Sequence, residues 1–479
     1  MTTPMIRDSA IASWLALALF LFFIPLLVIW PIGLTPSLYD EKRLLVVTLL
    51  PLIAVLFVAV RPLRQLWLSQ LATLPRVVVL MACAVLLLGV ISAAQARLPV
   101  AALTEPALWV VLFSAMTAVA ALRSRLGSYF DTAVTGMVAF ILFVFLLMVC
   151  GYVAQILIGT REPDFRTLFV NFSHLRFFND FQSWTLPLAM LPLLYAEQRG
   201  WTLLKWLFAV AAANWWLLLF LTGGRGVFLA TATSTLFVAL LFKGRIAHWL
   251  KWYGLAAVGG VVLYLLITQI APAVVTISRG SLSGREDLWR LALSMIAGHP
   301  LLGVGPMHYA CVDHVLAGHP HNAVLQMAAE WGLLAALLLV ALLLWLFYRV
   351  IVLARRSSPV SGAGDVAPIL LTSLFSAAVL AQFAGMIVMP INHITMVVMG
   401  GWLWGLLVPA PAEPSQWRWP HTAWLLVMTV SIVLLWNVIS PVWHNAINGT
   451  FPESHETSEY KPRFWSDGAI CRDDSPWRH

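Results

Sequence analysis

The chain has 479 residues, of which 61% are hydrophobic and only 10% charged, against about 25% charged in a typical soluble domain. Folded in water, such a chain would expose large apolar patches, so a soluble globular fold is excluded and lipid is its main solvent. The net charge of +8 then reflects Lys and Arg gathered in cytoplasmic loops rather than a nucleic-acid-binding surface.

A spanning helix needs about 20 mostly apolar residues. Such runs fall near 12–34, 43–61, 76–95, 104–122, 132–158, 183–197, 202–221, 226–243, 251–270, 322–348, 367–389, 391–408 and 421–440. The predicted fold is therefore an all-α polytopic membrane bundle of 12 or 13 helices, depending on whether the pair flanking Pro390 is one broken helix. The first run follows a lone Arg7 and lacks a small-residue cleavage site, which predicts a retained helix rather than a cleaved leader. The transmembrane domain is expected over residues 1–440, with a polar, partly disordered tail over 441–479.

Alternate connections are short and basic: Arg61 and Arg64, Arg123 and Arg125, Arg199 and Lys205, Lys243, Arg245 and Lys251, Arg355 and Arg356. They are assigned to the cytoplasm, which puts the other connections outside, in the periplasm of a bacterium. Two outer loops are long, 159–182 and 271–321, and loops of that length are functional or disordered. In the second, Ser283 and Glu286 have capping-box spacing, with Gly284 as the first helical residue. Leu288, Leu291, Ala292, Met295 and Ile296 then recur at helical spacing until Gly298 and Pro300 stop the run. This short helix is expected to lie on the membrane with its apolar face down.

Cys83 and Cys150 lie in apolar runs and read as small core residues. Cys311 and Cys471 lie in polar segments, and nothing in the sequence pairs them.

Outer-face arginines carry the chemistry. Arg225 stands in Thr222-Gly223-Gly224-Arg225-Gly226, a tight turn between apolar helices, where a charge is costly unless paired or facing a wet cavity. Snorkelling to the interface would explain one arginine, but Arg225, Arg285, Arg290 and Arg176 share one side, and guanidinium forks suit phosphate oxygens. His319-Pro320-His321-Asn322 precedes an apolar helix, with Asn322 as its N-cap. His321 is thus held at a positive helix end that favours the neutral imidazole a base requires. His319, before the proline, lies on a looser approach, and the pair could instead shape a turn or bond Asp313. No nucleotide-binding loop, zinc helix or nucleophile elbow occurs, so no cofactor and no metal ligands are expected.

Phe177-Phe178-Asn179-Asp180-Phe181, the Thr222–Gly226 turn, Gly284-Arg285-Glu286-Asp287-Leu288-Trp289, His299-Pro300-Leu301-Leu302-Gly303-Val304-Gly305-Pro306 and His321-Asn322-Ala323-Val324-Leu325-Gln326 occur in that order. Together, over about residues 130–410, they resemble the O-antigen ligase and polymerase superfamily, and within it are most similar to O-antigen ligases. The resemblance implies a membrane glycosyltransferase of the inner membrane with a periplasmic active site. It also implies a donor glycan on undecaprenyl diphosphate and a lipid A–core acceptor. The family's outer-face arginines fall on Arg225 and Arg285 and its histidine on His321, the catalytic candidates. Arg176, Arg290, His319 and Asn322 complete the candidate diphosphate-binding set. A polymerase, a protein O-oligosaccharyltransferase and, from another class, a transporter or flippase remain alternatives. Transporters tend to show repeated halves, and no repeat is visible.

Overall fold

The computed structural model describes residues 4–161, 164–270, 284–312, 317–357, 365–411, 419–451, 462–466 and 468. Among these described residues, seventeen α-helices follow in order: α1 Pro4–Ile29, α2 Leu38–Ala59, α3 Arg61–Leu71, α4 Arg76–Gln95, α5 Pro99–Leu126, α6 Ser128–Leu157, α7 Leu175–Thr185, α8 Leu191–Gln198 and α9 Thr202–Thr222. Then come α10 Arg225–Phe242, α11 Ala247–Ile270, α12 Arg285–Gly298, α13 Ala323–Trp331, α14 Leu333–Arg356, α15 Val366–Leu380, α16 Pro390–Leu407 and α17 Trp419–Asn448.

Among the described residues, nine helical stretches are long and apolar enough to cross a membrane, so the chain is a multi-pass helical membrane protein. One stretch, Arg225–Gln269, contains both α10 and α11, separated at Lys243 in a left-handed conformation. Other expected spans are interrupted for physical reasons. The 183–197 run breaks around Pro187 and Pro192 into α7, a 3-10 turn and α8. The run after Asn322 breaks at Gly332 into α13 and α14, and the pair flanking Pro390 is two helices, α15 and α16.

Helix packing relies on small residues, as expected where lipid supplies no hydrophobic drive between helices. α5 is the most enclosed span, 83% of its window being buried. A Cβ at Gly401 or Gly405 of α16 would come within 2.6 Å of the Met116 carbonyl or 2.3 Å of the Ala120 carbonyl of α5. α11 meets α9 the same way, Gly260 lying where a Cβ would be 2.5 Å from that of Trp216. Outward side chains such as Leu203, Phe140, Leu337 and Leu344 are exposed and apolar. Cys83 and Cys150 belong to that outward set rather than the core, and both are free thiols. Cys311 is disulfide-bonded, whereas Cys471 lies outside the described residues.

Contacts sort the connections to two faces. On the basic face, Gln70 bonds the Val408 carbonyl (3.0 Å) and Ser124 (2.7 Å). There Arg123 pairs with Asp131 (2.6 Å), Arg245 with Asp365, and His248 with Glu197 (2.6 Å). On the opposite face Asn171 bonds the Ile29 carbonyl (2.5 Å), Ser92 bonds the Leu302 carbonyl (2.5 Å), and the Ala323 amide bonds the Ala381 carbonyl (2.8 Å). The C-terminal region departs from the expected loose tail. α17 continues through Pro441 to Asn448, and Pro462–Ser466 packs into this second face.

Gly332 is fixed by both conformation and space. Its φ of 93° and ψ of 160° fall in a region essentially reserved for glycine, and a Cβ would sit 2.0 Å from the Leu301 carbonyl oxygen. Gly332→Ala should therefore destabilise the protein by more than about 2 kcal/mol, seen as a lower melting temperature in detergent. Gly136→Ala, in α6 with open space around it, should melt no lower than the parent.

Candidate functional site

Two sequence motifs lock together at the second face. His174 caps α7 by accepting from the Arg176 amide (3.0 Å), which starts the helix with Arg176 in its first turn. One turn on, the Asn179 amide donates to Thr222 Oγ1 (2.7 Å), and Gln182 donates to the Trp215 carbonyl (2.9 Å). A Cβ at Gly224 would meet the Asn179 nitrogen at 2.8 Å, so glycine lets the α9–α10 turn close onto α7. Gly223 ends α9 in the left-handed conformation that makes the turn tight. Arg225 is the first residue of α10, with its side chain exposed.

The second pair of elements is α12 and the approach to α13. Gly284 is not helical but the N-cap of α12, left-handed at φ 75° and making no side-chain cap bond; Ser283 of the expected capping box lies outside the described residues. The helix begins with half-buried Arg285. Its apolar face, Leu288, Ala292 and Met295, is not laid on lipid but packs on Tyr309, Ala317 and Ala329. Tyr309 ties the two layers, its hydroxyl donating to the Leu288 carbonyl (2.8 Å) and its amide to Glu330 Oε1 (3.1 Å). The His299–Pro306 motif runs along α13, its Val304 and Gly305 amides donating to the Ala329 and Glu330 carbonyls, both at 2.9 Å. Gly303 is forced by that approach, since a Cβ would lie 2.5 Å from the Glu330 backbone.

His321 sits between these layers. Its φ of 54° is left-handed, a strained conformation for a residue with a Cβ. The next residue holds it there: Asn322 caps α13 by accepting from the Leu325 amide (2.9 Å) and donates to the Gln382 carbonyl (3.3 Å). On the other side Trp289 of α12 donates to the Pro320 carbonyl (3.0 Å).

Arg285 lies within electrostatic reach of Arg176 and Arg225, and His321 within reach of Arg176 and Arg285. Burial holds the Arg285 guanidinium below its usual range, and repulsion from Arg176 and Arg225 adds to it. His321 is pushed well below the ordinary imidazole range by burial, then by His319, Arg176 and Arg285. At neutral pH it is uncharged, with proton-accepting capacity beside a cluster of cations. Neither Arg176 nor Arg285 forms an ion pair among the described residues. All four residues stand within two positions of a helix N-terminus or its cap, where backbone N–H groups add positive potential.

The other candidates are held by partners of their own. Arg290 is turned to its own helix, 3.8 Å from Glu286 and 3.5 Å from Asp287, with three quarters of its side chain exposed. Asn322 is occupied as a cap. His319 is not on a loose approach: it is 1% exposed, its Nδ1 bonds the Pro462 carbonyl (3.0 Å), and its ring packs 4.3 Å from that of His321. Burial, with Arg463 nearby, holds His319 down to about 4. Asp313 lies outside the described residues. Among those described, no group of three or more His, Cys, Asp or Glu is placed to hold a metal ion.

Sequence reasoning missed the residues behind His321. Arg463 is buried between Glu105 (2.7 Å) and Glu330, and all three are almost fully enclosed. Their signals were an acidic residue inside an apolar helix, which lipid alone cannot accommodate, and the Phe464-Trp465 pair in an otherwise polar tail.

No curated protein matches the chain. Residues 207–340, which run from α9 into α14 and include Arg225, Arg285, His319, His321 and Asn322, match the family model described as O-antigen ligase, a match that supports membership of the O-antigen ligase/polymerase superfamily.

Proposed function

We propose that the protein is an O-antigen ligase, transferring a glycan from undecaprenyl diphosphate to a sugar hydroxyl of lipid A–core at the periplasmic face of the inner membrane. The superfamily implies a membrane glycosyltransferase-like enzyme acting on lipid-linked glycans and lipid acceptors. What carries the residue assignment is that Arg285 stands beside Arg176 and Arg225, and that His321, held at the N-cap of α13, faces Arg176 and Arg285.

In this reading the donor's lipid lies in the bilayer and its diphosphate meets the arginines. Arg225 and Arg285 stabilise the charge that grows on the leaving diphosphate, each worth about 3–4 kcal/mol if well aimed. Arg176 joins them, and its charge is also felt by buried Asp180 behind it. His321 takes the proton from the acceptor hydroxyl as that oxygen attacks the anomeric carbon. A single displacement inverts the carbon, and the diphosphate departs as the anion the arginines hold. Arg290, His319 and Asn322 are left out of direct contact, for the reasons their partners give. A polymerase or a protein O-oligosaccharyltransferase would share this machinery and differ in acceptor.

A deletion strain separates these acceptors. Lipopolysaccharide lacking long chains, with polymeric lipid-linked glycan accumulating, identifies a ligase; core carrying one repeat identifies a polymerase; unchanged lipopolysaccharide with lost glycoproteins identifies a protein-glycosylating enzyme. Complementation should then fail with His321→Ala, Arg225→Lys and Arg285→Lys at normal protein levels, because lysine keeps the charge but loses the fork. Near-normal ligation by both lysine variants would reduce the arginines to snorkelling charges.

Orientation is tested separately by thiol labelling of intact cells. A cysteine at Thr167 should react with an impermeant reagent, and one at Arg356 should not. The reverse pattern would put the site in the cytoplasm.

The charge arrangement also fixes a pH signature. Transfer requires neutral His321, so activity falls as pH drops through its depressed pKa, and the acid limb of kcat/KM should lie below 6.5. Bound diphosphate offsets the arginines and raises that pKa, so the limb of kcat should lie about one unit or more higher. Coincident limbs would mean that the anion does not bind beside His321.

A further inference from the structure

Pro462–Ser466 is stitched into the bundle by three helices of the site face. Tyr39 of α2 donates to the Arg463 carbonyl (2.7 Å), and Arg43 Nε donates to the Phe464 carbonyl (3.0 Å). Asp40 accepts from the Ser466 amide (2.7 Å) and hydroxyl (2.6 Å). The Arg463 guanidinium enters the interior, bonding Glu105 of α5 (2.7 Å) and Glu330 of α13, with the Gln326 side chain against it. Removing one partner of so enclosed an ion group leaves an uncompensated buried charge, so this segment is a structural member of the bundle.

The segment ends at the histidines. The Pro462 carbonyl can only accept, so neutral His319 must carry its proton on Nδ1 and present a bare Nε2. That Nε2 is buried and has no hydrogen-bond partner, and the same ring packs edge-on against His321. The tautomer and tilt of His319 are thus set by a carbonyl more than a hundred residues away, and His319 is the ring against which His321 rests in its strained backbone conformation.

We propose that Pro462–Ser466 is a positioning element of the site: anchored by Arg463 in the Glu105–Glu330 pair, it holds the His319 ring through the Pro462 carbonyl and thereby orients His321. It touches neither donor nor acceptor in this arrangement. Groups facing the two rings are Arg176, Arg285 and Arg463, and each ring faces the other. With the segment loosened, His319 gains water and protonates near neutral pH, and the base loses its backstop. The inference rests on His321 acting as the base.

The test uses the full-length protein in nanodiscs, with kcat, donor KM and the acid limb of kcat measured for each variant. Arg463→Met should lower kcat about ten- to a hundredfold, the scale of a base misplaced by about 1 Å, and move the acid limb toward neutral pH. Donor KM should stay within about twofold, because the arginines hold the diphosphate. Arg463→Lys should recover part of kcat and of the shift. If Arg463→Met fails to reach the membrane, Tyr39→Phe decides, since it removes one bond to the segment without burying a charge; the same changes, smaller, are expected. Wild-type kcat and pH profile in the folded variants would overturn the proposal, as would a rise in donor KM with kcat unchanged. His321→Ala run alongside separates the two readings. If it retains transfer, the base assignment fails and takes this proposal with it. If it abolishes transfer while the segment variants behave as wild type, only the positioning role is lost.

Discussion

Crowding of like charge is the constraint to which the rest of the site-face architecture answers. Arg285 is repelled by both Arg176 and Arg225, His321 faces Arg176 and Arg285, and neither Arg176 nor Arg285 has a carboxylate within ion-pair reach among the described residues. In an interface of reduced dielectric such repulsion pushes the elements apart. Helix N-termini at the same spot add to the positive potential. The site stays closed only if other interactions hold these termini in place.

Those interactions are mostly backbone-directed, which resists lateral movement better than apolar contact. Asn179 bonds the α9–α10 turn to α7, and Trp289 bonds α12 to the residue before His321. The Gly303–Gly305 stretch lies so close on α13 that only glycine fits at 303, and Gly332 lets the Leu301 carbonyl pass at the α13–α14 break. The breaks in α7–α8 and α13–α14 free backbone groups that would be costly in lipid. Several are satisfied here: the Glu330 carbonyl accepts from Ser92 and Gly305, and the Ala329 carbonyl from Val304. The breaks and the site are thus one construction, with interrupted helices supplying N-termini and neighbouring loops supplying the missing bonds.

Much of this was legible in the sequence because hydrophobic length and helix punctuation are local signals. Apolar runs gave the membrane class, and the turn around Arg225 and the Asn322 cap read correctly as helix starts. A shared side grouped Arg176, Arg225, Arg285 and Arg290, and the helix start at Asn322 added His321. What failed depended on side-chain direction or on distant partners. Arg290 lies five residues after Arg285, so helical periodicity turns it toward Glu286 and Asp287, away from His321. The apolar face of α12 had the pattern of a lipid-lying helix, but Tyr309 and Ala329 compete for the same surface and win it. His319 read as loose because Pro462, its anchor, is in a tail whose polarity suggested disorder. Glu105 and Glu330 drew no notice, for an acidic residue in an apolar run has meaning only once its cation is known.

On the proposed reaction, the same charge arrangement couples the two substrates of the site. An anion that raises the proton affinity of His321 must, by reciprocity, bind more tightly once His321 is protonated. In the resting site the imidazole is neutral, which spares the cluster a further positive charge. Proton transfer from the acceptor makes it an imidazolium at the moment the diphosphate gains its full charge. The base thereby becomes another cation for the leaving group, and its gain in charge is opposed by Arg176 and Arg285 but favoured by the anion between them. Stabilisation is greatest when both events have occurred and smaller when either occurs alone, which favours a transition state in which proton removal and diphosphate departure proceed together. A carboxylate base could not serve this way, since it begins as an anion and would neutralise the arginines before the donor arrived.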